Sequence, residues 1–579
     1  FQQFSVTIAV SVVISAFNAL TLSPALCALL LRRREPPKKG FFAAFNRWFA
    51  RRMDKYTAFT PTLIRHVART GVFIAAVLAV IFLVWRKLPA GFLPEEDQGY
   101  VMVMVSTPEA SSLQVTQKAM IRADEVIRTL PEVASTSFAA GFNMMAGIAS
   151  TDSGIIFVSL VGYSDRKLTA MEIAQKLTDE LYMAVPGAEC FAFIPPSIPG
   201  LGITSGVSVE VQDLEGRGTA YLLEQSERLM DSLRKLPSVA SVTTQFNAGV
   251  PQRRLRIDKE QALASGVDLG VLYGDLTTLL GGAYVNNFSR FGKLYQTYIQ
   301  AAPAYRMDKR SLDSYYVASS SGESVPVSSL VEVVDTVGVE YVSQFNLYRS
   351  IGLTVTPAAR TSTTTVMQDI TRTAAQVLPD DVGTAWSGTS FQEANASKTG
   401  GLVYLLALVF VFLALAALYE SWGLPLAILM SVPVAVLGAV LFIGVSHLLN
   451  AFYVNDIYMQ ISLVMLIGLA AKNAILVVEY ADRLFNEQGA SLMDAAIGAA
   501  KLRVRPIIMT AFAFILGVMP LIFASGVYAT ARNIMGVALV GGMLFATLLG
   551  IFVYPALYYF VGRIGGFERR RERKKQEQS

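Results

Sequence analysis

The chain has 579 residues, of which 53% are hydrophobic and only 16% are charged, and its formal net charge is +5. This composition is too apolar for an ordinary soluble protein and predicts several membrane spans. Cys27 lies in an apolar run, Cys190 lies far from it, and no C-x-x-C motif is present, so neither a disulfide framework nor a zinc site is expected.

Seven stretches of the sequence are apolar and long enough to cross a bilayer, which takes about 20 residues per helix. They are residues 5–31, 71–88, 401–419, 424–446, 457–481, 506–526 and 533–561. The chain begins at Phe1 and enters the first of these stretches within a few residues, without the pattern of a signal peptide. We therefore expect it to be a fragment of a longer protein.

Lysine and arginine concentrate in residues 32–70 and again in the tail 563–579. Because such residues stay on the cytoplasmic side of a membrane, counting spans from there places residues 89–400 outside. In residues 41–52, aromatic side chains alternate with arginines. This pattern predicts an amphipathic helix on the inner membrane face, with an ordinary basic loop as the alternative.

Residues 89–400 are too many for a connecting loop and must fold around a core of their own. Between residues 101 and 193 the pattern reads strand, helix, strand, strand, helix, strand, which is the order of a ferredoxin-like unit. The sequence Leu130-Pro131-Glu132-Val133-Ala134-Ser135 then returns as Leu236-Pro237-Ser238-Val239-Ala240-Ser241. The repeat predicts a duplicated subdomain.

A rigid proline- and glycine-rich connector, residues 194–202, separates the two copies. Residues 305–350 read as short hairpins suited to a docking surface. The predicted fold is a membrane α-helical bundle with a large α+β extracytoplasmic domain built from ferredoxin-like β-α-β subdomains. In chain order, residues 1–31 and 71–88 are spans, 89–400 are the outer domain and 401–562 are a five-helix bundle.

Lys472 lies about three residues past the midpoint of the 457–481 span, or about 4.5 Å from the bilayer centre. A charge at that depth costs about 2.5–3.5 kcal/mol on insertion scales. Small neighbours such as Gly468 would let another helix approach closely. Lys472 therefore needs a buried partner, most plausibly a carboxylate, and no other span here contains one; a purely structural ion pair is the alternative.

A second candidate site lies in the outer domain. Phe138, Phe142 and Phe157 flank residues 141–147, a stretch bounded by glycines that contains Met144 and Met145. Aromatic rings and flexible methionines predict an adaptable apolar pocket for varied ligands. The alternative is that Phe138 and Phe157 are ordinary strand core.

The sequence resembles the hydrophobe/amphiphile efflux branch of the resistance-nodulation-division superfamily. The resemblance is carried by GLAAKNAILVVEYA at 468–481, RVRPIIMT at 503–510, GVMPL at 517–521, LYESW at 418–422 and FLPEEDQG at 92–99. Members of that family have twelve spans in two homologous halves, so the resemblance implies that this chain supplies the sixth to twelfth spans.

The resemblance implies a proton-driven multidrug pump, powered by the proton motive force without a cofactor. A pair of aspartates in the other half would exchange protons against Lys472, with Asn473, Arg503 and Thr510 in the same relay. It also adds Met102, Met104, Phe191 and Phe193 to the expected substrate pocket. It implies a homotrimer in the inner membrane of a Gram-negative cell, with a periplasmic adaptor and an outer-membrane channel as partners.

Two other functions remain open on the residues alone. Met102, Met104, Met144 and Met145 could bind Cu(I) or Ag(I) in a metal exporter of the same superfamily. A scaffold that transports nothing would have no use for Lys472 at such depth. An enzyme is not expected, because His66 and His447 are the only histidines and no phosphate-binding G-x-x-x-x-G-K-[ST] loop is present.

Overall fold

The computed structural model describes residues 2–30, 40–65, 67–198, 200–202, 204–358, 361–450 and 452–567. Its first helices are α1 (Gln2–Leu20), α2 (Leu22–Leu30), α3 (Phe41–Ile64) and α4 (Val67–Lys87). Helix α3 contains the segment predicted to be amphipathic. One side of α3 is fixed where the hydroxyl of Tyr56 donates to the backbone oxygen of Ile551 at 2.6 Å, while Phe45 and Trp48 stay exposed. The side chains of Phe41 and Phe42, the basic residues 32–39 and His66 lie outside the described part.

The outer domain begins with a four-stranded sheet covered by two helices. Its elements are β1 (Tyr100–Ser106), α5 (Leu113–Ile127), β2 (Val133–Asn143), β3 (Ile148–Leu160), α6 (Ala170–Ala184) and β4 (Glu189–Phe193). The strands are antiparallel in the order β2-β3-β1-β4. Because side chains alternate along a strand, Val101, Val103 and Val105 enter the core under the helices. Met102 and Met104 point to the other face.

A second unit repeats this arrangement around a long insertion. It begins with β5 (Val207–Asp213), α7 (Thr219–Leu233) and β6 (Val239–Thr244). The insertion contains β7 (Val250–Ile257), α8 (Lys259–Ala264), α9 (Leu269–Leu276), β8 (Ala283–Arg290), β9 (Lys293–Ile299), β10 (Tyr316–Ala318), β11 (Ser324–Pro326) and β12 (Val331–Gly338). The unit resumes with β13 (Ser343–Phe345), β14 (Tyr348–Pro357), α10 (Thr363–Val377) and β15 (Val382–Trp386). Strands β6, β14, β5 and β15 are neighbours in that order, as β2, β3, β1 and β4 are in the first unit.

The repeated hexapeptide forms the same turn in both units. After α5, the amide of Val133 donates to the oxygen of Leu130 at 3.1 Å; after α7, the amide of Val239 donates to the oxygen of Leu236 at 3.2 Å. Each turn feeds the strand that follows the helix. The sequence echo therefore corresponds to a repeated piece of structure.

The chain ends in a helical bundle. Its helices are α11 (Gly388–Tyr419), α12 (Gly423–Leu429), α13 (Val432–Leu449), α14 (Ile457–Asn486), α15 (Leu492–Ile522), α16 (Ala529–Leu548) and α17 (Gly550–Ile564). Within the described ranges, six stretches are helical, long and apolar enough to cross a membrane: 6–30, 68–87, 423–449, 457–486, 492–522 and 529–548. A shorter apolar helix, Tyr404–Tyr419, corresponds to the predicted 401–419 span.

Two predicted boundaries in the bundle differ from the structure. The predicted span 533–561 is divided at Leu549 into α16 and α17. The stretch between the predicted spans 457–481 and 506–526 is mostly helical, because α14 runs to Asn486 and α15 begins at Leu492. Ser491 caps α15 by accepting the amide of Asp494 at 3.1 Å, an N-cap interaction that starts a helix before its apolar stretch. The basic tail from residue 568 onward lies outside the described residues.

Helices α13 and α16 approach each other at a pair of glycines. A β-carbon built on Gly438 would collide with the backbone oxygen of Gly541 and lie 2.6 Å from the β-carbon of Phe545. A β-carbon on Gly541 would lie 2.5 Å from that of Phe442. Only glycine permits this distance between two helix backbones.

Candidate functional site

Lys472 stands on an exposed face of α14. Val464, Gly468 and Lys472 form one exposed stripe at a spacing of four residues, and Glu479 continues it seven residues further on. Most other residues of the membrane-spanning part of α14 pack into the bundle. A β-carbon on Gly468 would meet nothing within 4 Å. At the end of α14, Arg483 pairs with Glu487 at 3.4 Å. No ion pair among the described residues includes Lys472. The predicted need for a carboxylate is not met within this part of the chain.

The other predicted relay residues lie on both sides of this stripe. Asn473 is only 2% exposed and points into the bundle. Its side chain lies against the buried hydroxyl group of Tyr554. Thr510 on α15 is exposed, and its hydroxyl donates to the oxygen of Ile507 at 3.0 Å. Lys472 and Asn473 thus face different surroundings although they are adjacent.

The packing of α14 against α15 fixes the relative heights of these residues. The guanidinium of Arg503 lies 4.7 Å from the ring centre of Tyr480, and Gly498 faces Leu484. In an antiparallel pair with this register, Thr510 lies level with Asn473. Arg503 lies about 10.5 Å nearer than Thr510 to the loop between the helices, from seven residues at 1.5 Å each. Thr510 is therefore at the height of Lys472, and Arg503 is not.

The start of α14 is hydrogen-bonded to residues 89–97, the segment that joins α4 to the outer domain. The amide of Asn455 donates to the oxygen of Pro89 at 2.9 Å, and the amide of Gly91 donates to the oxygen of Asn455 at 3.1 Å. The amide of Ile457 donates to the oxygen of Phe92 at 3.2 Å. The helix that bears Lys472 is thus attached directly to the base of the outer domain.

Two carboxylates of this joint cap helix N-termini. Glu96, only 2% exposed, accepts the amides of Thr530 (3.2 Å) and Ala531 (2.7 Å) at the start of α16. Asp456, fully buried, accepts the amide of Met459 at 2.8 Å at the start of α14. Both contacts satisfy amides that a helix terminus leaves unpaired. Burial raises the pKa of Glu96.

Burial also raises the pKa of Asp456, to about 7, and the nearby charge of Glu96 adds to the rise. The ordinary value is 3.8, so between about pH 4 and pH 7 the folded protein binds a proton that the unfolded chain does not. Stability therefore falls as the pH rises through this window, by up to about 4 kcal/mol.

We expect Asp456→Asn to remove most of this pH dependence, because asparagine keeps the capping oxygen and has no charge to bury. The variant should be more stable than the wild type at pH 7.5 and similar to it at pH 5. The measurement is thermal unfolding of the detergent-solubilised chain at both values. Asp268→Asn, at the exposed N-cap of α9, is the matched control and should leave the profile unchanged. Identical profiles for wild type and Asp456→Asn would contradict this assignment.

The outer sheet carries most of the predicted substrate residues on one face. Directly opposed residues of antiparallel strands point to the same side. One row across the sheet is Phe193, Met102 and Phe157, and the next is Phe191, Met104 and Ile155. The rings of Phe191 and Phe193 stack with centroids 5.8 Å apart. Met144 and Met145 pack against the same apolar cluster.

The structure separates Phe138 from this group. Phe138 is opposite Ile156, whose side chain lies in the core under α5 and α6. It therefore belongs to the helix-covered face, at the edge of the sheet, and is partly exposed there. Phe142 lies at the end of β2 and is also exposed.

The glycine-bounded stretch 141–147 is the end of a β-hairpin that joins β2 to β3. Asn143 closes it: its side-chain oxygen accepts the amide of Ala146 at 3.0 Å, and its backbone oxygen accepts that of Gly147 at 2.9 Å. Gly141 and Gly147 have φ angles of 90° and 70°, which glycine adopts without strain. The glycines serve the turn, and their presence in the sequence does not by itself indicate a hinge.

A cleft of about 1280 Å³ opens between the two units of the outer domain. Met145, Phe191 and Phe193 line it from the first unit, and β5, β6 and β14 line it from the second. Its floor includes the outer end of α13 and the residues that follow it, among them His447 and Phe452. The cleft thus extends from the apolar face of the first sheet to the level where the bundle begins.

Sequence reasoning missed Glu95, Glu96, Glu210 and Asp456. Asp456 could have been found, since an aspartate before a long apolar stretch is a helix-start signal. The role of Glu96 depends on amides more than 430 residues away, and no local pattern reveals such a contact.

The profile of the AcrB/AcrD/AcrF family matches residues 1–562. The toluene efflux pump membrane transporter TtgB of Pseudomonas putida is 36% identical over 577 residues, which cover 98% of this chain and 54% of TtgB. The multidrug resistance protein MdtF of Escherichia coli K12 is 34% identical over 575 residues, which cover 97% of this chain and 54% of MdtF. The multidrug export protein AcrF of E. coli is 33% identical over 572 residues, with the same coverage. The chain therefore spans about half the length of the curated relatives it matches.

Proposed function

The chain belongs to the AcrB/AcrD/AcrF family of the resistance-nodulation-division superfamily, and from this premise we propose that it forms half of a proton-driven efflux permease. The permease exports hydrophobic and amphiphilic compounds from a Gram-negative cell. The observation that carries the proposal is the position of Lys472, an ammonium group at mid-membrane depth on an exposed face of α14. The relatives' names, which refer to toluene and multidrug export, support the substrate class.

In this proposal the exposed stripe of α14 packs against the other half of the permease, which supplies the carboxylates for Lys472. Protonation of a carboxylate releases Lys472, and deprotonation draws it back. One proton moving through 100 mV supplies about 2.3 kcal/mol, whereas a tenfold substrate gradient requires about 1.4 kcal/mol. Thr510, at the same height, would share the relay directly, and Arg503 would act from a distance.

The joint at residues 89–97 would carry the motion outward. Since the start of α14 is hydrogen-bonded to this segment, a shift of the helix displaces the base of the outer domain. Asp97, at the end of the segment, accepts the amide of Ala170 at the start of α6 and the guanidinium of Arg166, both at 2.7 Å. The first unit of the domain would therefore follow α14, and the cleft between the units would widen or narrow.

The substrate site in this proposal is that cleft, with the apolar sheet face of Met102, Phe157, Phe191 and Phe193 beside it. We infer that the two units are ferredoxin-like subdomains, since each has six elements in the β-α-β-β-α-β order. The insertion 250–338 exposes aromatic residues on the β8–β9 hairpin, including Tyr284, Phe288 and Phe291. It would serve the contacts of a homotrimer with a periplasmic adaptor and an outer-membrane channel.

Export of a soft metal ion is the second candidate, because four methionines meet at one place: Met102, Met104, Met144 and Met145. These side chains pack together with Ile155, Phe193 and Tyr100. Such packing leaves the sulfurs in an apolar contact surface, which suits organic ligands better than a metal ion. A scaffold without transport would leave Lys472 unexplained.

The test expresses the full-length permease that contains this chain in a Gram-negative strain lacking its own efflux pumps. We expect cells to exclude a lipophilic fluorescent dye at least tenfold better than empty-vector cells, and a proton uncoupler to abolish the difference. Dye exclusion that survives the uncoupler would contradict proton coupling. Resistance to silver or copper without exclusion of any organic dye would favour the metal exporter instead.

A further inference from the structure

The cleft between the two units is lined by carboxylates as well as by apolar side chains. Among the described lining residues there are two carboxylates, Glu95 and Glu210, and no lysine or arginine. The remaining lining side chains are aromatic, aliphatic, thioether, hydroxyl or amide groups and one imidazole, His447. The described lining therefore presents two carboxylates and no lysine or arginine to neutralise them.

Glu210 occupies the middle of β5 with small residues on both sides. Its cross-strand neighbours are Gly352 on β14 and Ala385 on β15, and neither has a side chain that can donate a hydrogen bond. Val209 and Val211 point into the core on the opposite face. Glu210 consequently faces the cleft, and no ion pair within the described residues includes it.

Glu95 reaches the cleft from the joint segment 89–97 and is half-buried there. A hydrogen bond from Ser205 holds its carboxylate. Burial raises the pKa of Glu95, and the Ser205 hydroxyl opposes part of that rise. A positive charge in the cleft would stabilise the ionised form of this carboxylate, because an opposite charge a few ångströms away offsets the loss of water.

Aromatic surfaces lie in the same cleft. Phe191 and Phe193 are stacked on β4, Tyr341 lines the wall of the second unit, and Met145 contributes a thioether. Aromatic faces attract cations, an effect that adds about 0.5–2 kcal/mol. The volume of about 1280 Å³ holds a drug-sized molecule and far exceeds the space an inorganic ion would need.

We propose that the cleft selects amphiphilic organic cations, with Glu95 and Glu210 holding the positive group and the Phe191–Phe193 stack holding the apolar part. This inference rests on the proposed function, since it narrows the substrates of that same site. Neutral apolar compounds bind through the aromatic surface alone. Organic anions are disfavoured, because the two carboxylates repel them.

The test uses the purified full-length permease in detergent and two fluorescent ligands: ethidium, a permanent planar cation, and Nile red, which is neutral. Binding is measured by fluorescence polarisation for the wild type and for the double variant Glu95→Gln/Glu210→Gln. We expect the Kd for ethidium to rise about tenfold or more in the double variant and the Kd for Nile red to change less than twofold. Glu224→Gln, an exposed carboxylate on α7 outside the cleft, is the matched control and should change neither.

Each outcome separates this inference from the proposed function. An equal loss of affinity for both dyes would mean that the carboxylates support the shape of the cleft and do not select charge. This result would overturn the inference. Unchanged ethidium binding would overturn it as well. In both cases the exporter itself still stands if cells exclude dye in an uncoupler-sensitive way. If the full-length permease exports no organic dye at all, the proposed function fails first.

Discussion

Replacing Lys472 by alanine in the full-length permease will abolish dye export while leaving the protein folded and in the membrane. The ammonium group lies near the middle of the α14 span, and in the proposed mechanism it is the group that responds to protonation. Its removal deletes the response completely. Membrane insertion of the helix should not be impaired, because placing a lysine at mid-membrane depth costs about 2.5–3.5 kcal/mol of insertion free energy and alanine avoids that cost.

The measurement is retention of a lipophilic dye in cells with matched amounts of each variant, checked by immunoblot. Lys472→Ala cells should fill with dye at the rate of empty-vector cells. Lys501→Ala is the control and should export normally. It removes an exposed lysine on α15 that lies closer to the loop between α14 and α15. A Lys472→Ala permease that exports as fast as the wild type would show that the relay assignment is wrong.

Gly438→Ala should destabilise the bundle by about 2 kcal/mol, although alanine is normally the better helix former. In a helix interior, alanine is favoured over glycine by about 1 kcal/mol. At Gly438 the added methyl group would strike the backbone of α16 at Gly541 and the β-carbon of Phe545. Neither of these is the flexible end of a side chain, so α13 and α16 must move apart and lose their contact.

The matched control is Gly517→Ala on α15, where a β-carbon would meet nothing within 4 Å. There the helix propensity acts alone, so the substitution should be neutral or stabilising. The thermal unfolding midpoint of the detergent-solubilised chain should thus fall for Gly438→Ala and stay unchanged or rise for Gly517→Ala. A Gly438→Ala variant at least as stable as the wild type would refute the tight crossing of α13 and α16.

Features set by local spacing could be predicted from the sequence. The alternation of Val101, Val103 and Val105 determines which face of the first sheet enters the core. The hexapeptide echo predicted a duplicated subdomain, and the same short sequence after a helix forms the same turn in both units. The depth of Lys472 follows from counting residues along one helix.

Features that depend on distant strands and helices could not be predicted. Whether Phe138 points into the cleft or under the helices depends on its pairing with Ile156, and a shift of one residue would reverse it. The cleft exists only because two units, separated by a connector, are held over the same end of α13. Glycines 438 and 541 look like ordinary glycines until both helices are placed.

Glu96 also bears on the order in which the protein can fold. Its carboxylate caps α16, whose Ala531 lies 435 positions further along the chain. At a synthesis rate of 5–20 residues per second, about 20–90 s pass between the appearance of the two ends. Until α16 has been synthesised, Glu96 has no helix terminus to cap. The contact can form only after nearly all helices are in the membrane, so completion of the joint reports that the whole bundle has assembled.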